Sequence, residues 1–158
     1  MQDQTIKDLK PLVIEKTANT PQIELDNLTG NLIFSGRSIP ENAANVYEPI
    51  VNWVTEYLPE ARPTTNLRLN LEYFNTSSVL WLSKIFRILI RINKPDHVLI
   101  VHLYMPLDDY NEITEFEDII EAFVPIEDVL HATISNIGIK LHGTNTNNEI
   151  VKERLVFI

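Results

Sequence analysis

The stretch from Asn66 to Met105 constrains the fold more than any other part of the chain. Residues 66–74 (NLRLNLEYF) alternate, with Leu67, Leu69, Leu71 and Tyr73 on one side and Arg68, Asn70 and Glu72 on the other. That period of two predicts a half-buried strand with one wet face. NTSS (75–78) follows, a cluster of residue types that cap helix N-termini. Residues 79–94 (VLWLSKIFRILIRINK) then read as a helix, and 97–105 (HVLIVHLYM) as a continuous apolar strand. Strand, helix and strand of these lengths predict a right-handed crossover that sets two parallel strands side by side.

The helix has an unusual surface. Its basic residues Lys84, Arg87, Arg91 and Lys94 fall on one narrow stripe, while Val79, Leu80, Trp81, Leu82, Ile85, Phe86, Ile88, Leu89, Ile90 and Ile92 are apolar. A surface helix needs an apolar stripe only on its core side. One reading buries the excess between the sheet and neighbouring helices. The other leaves an apolar flank exposed for a partner or a second copy of the chain.

Around this unit the signals are shorter. Residues 12–16, 22–26 and 31–37 are strand-like, and a turn from Asn27 to Gly30 joins the last two, which predicts an antiparallel meander. In SIPENAANVYEPIVNWVTEYLPEARP, Val46, Ile50, Val54 and Leu58 recur at helical spacing beside Tyr47, Trp53 and Tyr57. Asn42 or Glu41 is placed to cap this helix, and Pro59 and Pro63 to stop it. Pro49 inside the pattern predicts a kink, or a helix that begins near it. Residues 112–123 fit a short acidic helix, and the tail suggests strands at IGIKLH and ERLVFI around a polar loop at Asn145–Asn148. Nothing repeats and no linker divides the chain. The expectation is one domain over 1–158, with a core of about 12–125 and a C-terminal extension over 126–158.

Composition narrows the chemistry. The absence of Cys removes thiol catalysis, iron–sulfur clusters and disulfides. Twenty-two acids against 13 bases give a formal charge of -9, which argues against nucleic acid or anionic membranes as partners. Segment 108–128 alone holds nine of those acids and no base, leaving the rest formally neutral. Such a run reads as a solvated helix face or as a docking surface for a basic partner. No apolar run is long enough to span a membrane, and the N-terminus lacks the apolar core of a signal peptide, so the cytoplasm is the expected location. Phosphate-binding glycine loops and the GxSxG elbow are absent. His97 and His102, five apart on an expected strand, point to opposite faces, and His131 and His142 lack ligand spacing. Structural or surface histidines, no cofactor and no catalysis are therefore the expectation.

NTSS remains. Capping explains it by itself, since a side-chain oxygen that accepts from free N–H groups stabilises a helix by roughly 1 kcal/mol. A helix N-terminus also carries partial positive charge and favours an anion. A phosphate on Thr76 would bring about -1.5 to -2 charges to a helix end able to tolerate them.

Residues 20–58 (TPQIELDNLTGNLIFSGRSIPENAANVYEPIVNWVTEYL) and 67–78 (LRLNLEYFNTSS) together resemble the SiaC family of bacterial regulatory phosphoproteins. The GRSIPEN run, the Tyr47–Pro49–Trp53–Tyr57 pattern and the YFNTSS junction carry the likeness, which covers about residues 12–105. The family is similar in turn to STAS-type anti-sigma-factor antagonists. The resemblance implies a mixed β-sheet α/β domain with helices mainly on one face, and a non-enzymatic switch. A serine/threonine kinase would phosphorylate Thr76, in the setting of Asn75, Ser77 and Ser78, and a metal-dependent phosphatase would reverse it. The unphosphorylated form would bind an output protein such as a diguanylate cyclase, linking it to cyclic di-GMP signalling. Glu41, Asn42, Trp81, Lys84 and Arg87 are candidate partner contacts. Tyr104 with Asp108 or Asp109 stand where the family has aromatic and Asp residues, but Met105–Pro106 departs from its pattern. The competing reading is an oligomerising module, a homodimer for instance, that uses the apolar helix 79–92 and keeps NTSS only as a cap.

Overall fold

The structure, a computed structural model, describes residues 8–113 and 136–157. Within them seven strands form one sheet whose spatial order follows the chain: β1 (Leu12–Ile14), β2 (Gln22–Asp26), β3 (Asn31–Ser38), β4 (Thr64–Phe74), β5 (Val98–Pro106), β6 (Asn136–Thr144) and β7 (Ile150–Phe157). The first three strands are the expected antiparallel meander. β3, β4, β5 and β6 run parallel, and β7 returns antiparallel at the edge. Three α-helices belong to the described residues: α1 (Ala43–Tyr57), α2 (Thr76–Leu89) and α3 (Leu107–Glu112). Residues 136–157, read from sequence as an extension, complete the same sheet.

The turn between β2 and β3 shows how tightly the parallel strands are seeded. Gly30 sits at φ 79°, and its carbonyl accepts from the Asn66 amide at 2.8 Å. A Cβ there would lie 2.4 Å from the Thr64 carbonyl oxygen, so only glycine allows this approach.

One face of the sheet is covered. Leu67 and Leu69 of β4, Leu99 and Val101 of β5, and Ile139 and Leu141 of β6 are buried in a single core. Tyr47, Ile50 and Val54 of α1 and Leu82, Ile85, Phe86 and Leu89 of α2 close over them. Both readings of the apolar helix are therefore partly met. Its middle and end are buried, whereas Val79 and Leu80 in its first turns are 41% and 66% exposed.

Three local expectations change. α1 begins at Ala43, not near Pro49, with Asn42 as its N-cap. Pro49 has no N–H for the Asn45 carbonyl, but both residues are on the exposed side, where water can take that bond. α3 forms directly after β5, where the sequence showed no element. It is too short to display a period, although Asp108 and Asp109 in its first turn suit the positive end of a helix. The acidic helix expected over 112–123 lies, beyond Ile113, outside the described residues. His97 precedes β5 rather than joining it, and its Nε2 meets the Ala61 carbonyl at 3.1 Å.

The opposite face carries polar side chains, as the alternation of β4 requires. Arg68 reaches Asn31 Oδ1 through Nε at 3.2 Å and the Tyr104 hydroxyl through Nη1 at 2.9 Å. His102 and His142, which the sequence does not connect, meet here with Nδ1 and Nε2 2.9 Å apart. Burial, then the charge of Arg68 and the charges of His142 and Lys140, push His102 down to about 3. Burial also lowers His142, with Lys140 and Arg68 adding to it and Glu153 opposing. Unfolded imidazoles protonate near about pH 6.5, whereas these resist the proton. The stability that His102 contributes is complete above that value and is lost as pH falls towards 3. Urea midpoints measured between pH 7 and pH 4 should fall, and more steeply for the parent than for His102→Gln. Equal slopes would contradict this account.

Candidate functional site at the start of α2

The NTSS residues sit where β4 ends and α2 begins, at the carboxyl ends of the parallel strands. Asn75 is the N-cap, and its Oδ1 accepts from the Ser78 amide at 3.0 Å and from the Ser77 hydroxyl at 3.0 Å. The capping half of the sequence reading is thus realised by Asn75, and the helix starts at Thr76.

Behind the cap lies a chain of buried hydroxyls. The Tyr47 hydroxyl contacts Ser38 Oγ, and Ser38 Oγ lies 2.7 Å from Ser78 Oγ. Ser78 Oγ is also 2.7 Å from the Ser38 carbonyl and 2.7 Å from Asn75 Oδ1. Running the protons from Tyr47 to Ser38 to Ser78 lets the Tyr47 hydroxyl donate and gives Ser38 and Ser78 one donated and one accepted bond each. Ser38 and Ser78 are fully buried. Burial raises the Tyr47 hydroxyl above its ordinary pKa, against the Ser38 and Ser78 hydrogen bonds, and keeps it a neutral donor.

The same contacts join the two sequence hallmarks. The Asn75 amide donates to the Ser38 carbonyl at 3.0 Å, and Asn75 Nδ2 to the Pro40 carbonyl at 3.4 Å. The SIPEN segment therefore starts α1 and also holds the cap of α2. Glu41 and Asn42 are exposed beside it. Trp81 is half-buried, stacked on Tyr47 with ring centroids 6.2 Å apart, and Lys84 lies 5.0 Å over its ring. Arg87 is exposed further along α2.

Accessibility separates the hydroxyls of NTSS. Ser78 is sealed, Ser77 is half-buried and bonded to Asn75, and Thr76 is exposed with no hydrogen bond from its hydroxyl to any described residue. Exposed apolar side chains flank it in the chain: Tyr73, Phe74, Val79 and Leu80 are 59%, 56%, 41% and 66% exposed.

A groove continues this surface. β4 pairs with β5 only as far as Leu69 and Leu103, although both strands run on. The fork between them opens a groove of about 360 Å³. Leu71 and Phe74 of β4, Val79 and Phe86 of α2, Met105 of β5 and Asp109 of α3 are among its walls, and Tyr104 also lines it. Thr76, Val79 and Ser83 follow one another at helical spacing, so Thr76 stands at the end of the helical wall. Sequence alternation identified the faces of β4 but held no sign of where pairing stops. Among the described residues no group of His, Asp or Glu is placed to hold a metal ion. No helix among them is long and apolar enough to cross a membrane.

The SiaC family model, described as SiaC family regulatory phosphoprotein, matches residues 14–130, a span that includes the cap, the hydroxyl chain and the groove. The chain belongs to the SiaC family. An uncharacterized protein of Pseudomonas aeruginosa (strain UCBPP-PA14) is 35% identical over 71 residues, which are 45% of this chain and 56% of that relative. The match thus spans little more than half of the curated relative's length. Apo-SiaC from Pseudomonas aeruginosa shares the fold with TM-score 0.61 at 24% identity, over 81% of this chain and 98% of that one. A chain of the complex of diguanylate cyclase SiaD with its activator SiaC, from the same organism, shares it with TM-score 0.62 at 23% identity, over 83% and 99%. The α/β fold inferred from sequence is thus the SiaC fold.

Equilibrium unfolding should rank the site's residues. Ser78→Ala removes the α2 end of the hydroxyl chain, leaves Ser38 without that partner and should cost about 1–3 kcal/mol. Asn75→Ala removes the cap and should cost about 1 kcal/mol. Thr76→Ala should stay within about 0.5 kcal/mol of the parent. A large loss at Thr76 would mean that its side chain is structural.

Proposed function

We propose that this SiaC family protein is a phosphorylation-controlled partner switch with Thr76 as its phosphoacceptor. The observation that carries this reading is the exposed Thr76 hydroxyl, without a hydrogen bond to any described residue, on a capped helix N-terminus flanked in the chain by exposed apolar side chains. A serine/threonine kinase reaches Thr76 without unfolding the cap, and a metal-dependent phosphatase reverses the step. The unphosphorylated surface, made of Tyr73, Phe74, Val79, Leu80 and the groove, binds an output protein. The SiaD–SiaC complex makes a diguanylate cyclase the leading candidate for that output. The chain acts as one domain in the cytoplasm and performs no catalysis of its own.

The physics favours this direction of control. A partner that covers Thr76 with apolar surface must strip water from whatever Thr76 carries. A hydroxyl costs little, whereas a phosphate dianion left without a paired cation costs several kcal/mol. Phosphorylation therefore releases an apolar partner while leaving the fold intact.

Intact mass after incubation with the cognate kinase should show one added phosphate in the parent and none in Thr76→Ala. Phosphate retained in Thr76→Ala would end the assignment. Thr76→Ala should bind the output protein like the unphosphorylated parent, and the phosphorylated parent should bind it at least tenfold more weakly, about 1.4 kcal/mol. The exposed first turns of α2 also favour a second reading, self-association through Val79 and Leu80. Light scattering tests it: a stable dimer lost in Leu80→Glu would support it.

A further inference from the structure

The polar sheet face contains a hydrogen-bonded chain that the switch does not use. His102 Nε2 lies 2.7 Å from Asn66 Oδ1, and His102 Nδ1 lies 2.9 Å from His142 Nε2. At the far end His142 Nδ1 lies 3.4 Å from Glu153 Oε1. Such a chain can be protonated in either direction, and Arg68 decides which. Its Nη1, held by the Tyr104 hydroxyl, is 3.4 Å from His102 Nδ1, so that nitrogen presents its lone pair to the guanidinium. His102 then carries its proton on Nε2 and donates to Asn66, while His142 carries its own on Nε2 and donates to His102.

This leaves His142 Nδ1 bare. It is buried without a hydrogen-bond partner, and it faces a carboxylate, which can only accept. Two acceptors opposed in this way define a vacant place for one proton. Filling it turns a repulsive contact into a charge-assisted hydrogen bond between β6 and β7. A second proton has no place, because His102 Nδ1 already accepts from its neighbours.

We propose that His142 Nδ1 and Glu153 form a single-proton site that latches β7 to β6, and that its occupancy is felt at the Thr76 groove through Tyr104. The Tyr104 ring stacks on His142 with centroids 4.3 Å apart, and Tyr104 is also a groove-lining residue. The charged and titratable groups around His142 among the described residues are His102 and Tyr104 on β5, Arg68 on β4, Lys140 on β6 and Glu153 on β7. Lys140 and Arg68 oppose the proton and Glu153 favours it, while burial delays uptake to acidic pH. The consequence for docking rests on the proposed switch; the proton site does not.

Nitrogen-15 correlation spectra of the imidazoles in the full chain, from pH 8 to pH 4, test the site. His102 should remain a neutral Nε2–H tautomer over the upper part of this range. His142 should be the Nε2–H tautomer at pH 8 and gain a proton on Nδ1 at acidic pH, with Tyr104 ring signals shifting at the same midpoint. Glu153→Gln, at an exposed position, should move the His142 midpoint to lower pH. A merely structural Glu153 would alter stability without moving that midpoint. An Nδ1–H tautomer at pH 8, an unmoved midpoint in Glu153→Gln, or Tyr104 signals that ignore the titration would overturn the proposal. None of these outcomes bears on phosphorylation of Thr76, which the mass measurement decides separately.

Discussion

The hydroxyl chain from Tyr47 through Ser38 to Ser78 fixes the geometry on which the rest of the site depends. Three elements, α1, β3 and α2, meet there through hydroxyl oxygens. Buried oxygens must be paired or they cost more than the contact returns. Each partner therefore fixes the others. Ser78 is buried because α2 starts directly after β4, with only Asn75 between them, and Ser38 because β3 ends beside it. With Ser78 pinned inward, the helical rotation leaves Thr76 outside. The exposed hydroxyl is a consequence of the buried one.

One-sided cover of the sheet gives the two faces different chemistry. On the helical face, burial of Leu and Ile side chains drives folding without directional demands. On the other face, polar residues share hydrogen bonds in a fixed order, and Arg68 links β3, β4 and β5 through Asn31 and Tyr104. The fork between β4 and β5 falls between these regimes. Beyond Leu69 and Leu103 the pairing stops, and the apolar side chains there are only partly covered among the described residues. A surface left open in this way is suited to binding, because its dry area is already built and little ordering remains to be done.

Sequence patterns reached some of this and missed the rest for definable reasons. Alternation over 66–74 located β4 and its wet face because one strand face meets core and the other does not. The Asn-rich loop at 145–148 was legible because its chemistry is local: Asn145 Oδ1 accepts from the amides of Asn147 and Glu149, and Asn148 adopts φ 59°. The meeting of His102 and His142 was not legible, since it depends on the β5–β6 register across forty residues. Tyr47 stood beside the helical period of α1, and only its contact with Ser38 shows why a hydroxyl is needed there. The helix pattern over 79–94 ran past the true end at Leu89, because Ile90 and Ile92 are buried in the turn that follows and extend the apolar run.

Charge alone would give the wrong sign for a switch at Thr76. Asp109 and Glu72 line the groove, so a partner chosen by Coulomb attraction would carry bases and would welcome a further negative charge. Thr76 is exposed, however, and at physiological salt, with a screening length of about 8 Å, attraction between solvated charges is worth about 1 kcal/mol or less. Removing a dianion from water costs several kcal/mol unless a guanidinium replaces that water at short range. Desolvation therefore outweighs attraction for any partner whose contact around Tyr73, Phe74, Val79 and Leu80 is apolar. A partner that brings an arginine fork to the same helix end meets the opposite balance. One surface can then select two classes of partner by whether Thr76 carries a phosphate, without any rearrangement of the fold beneath it.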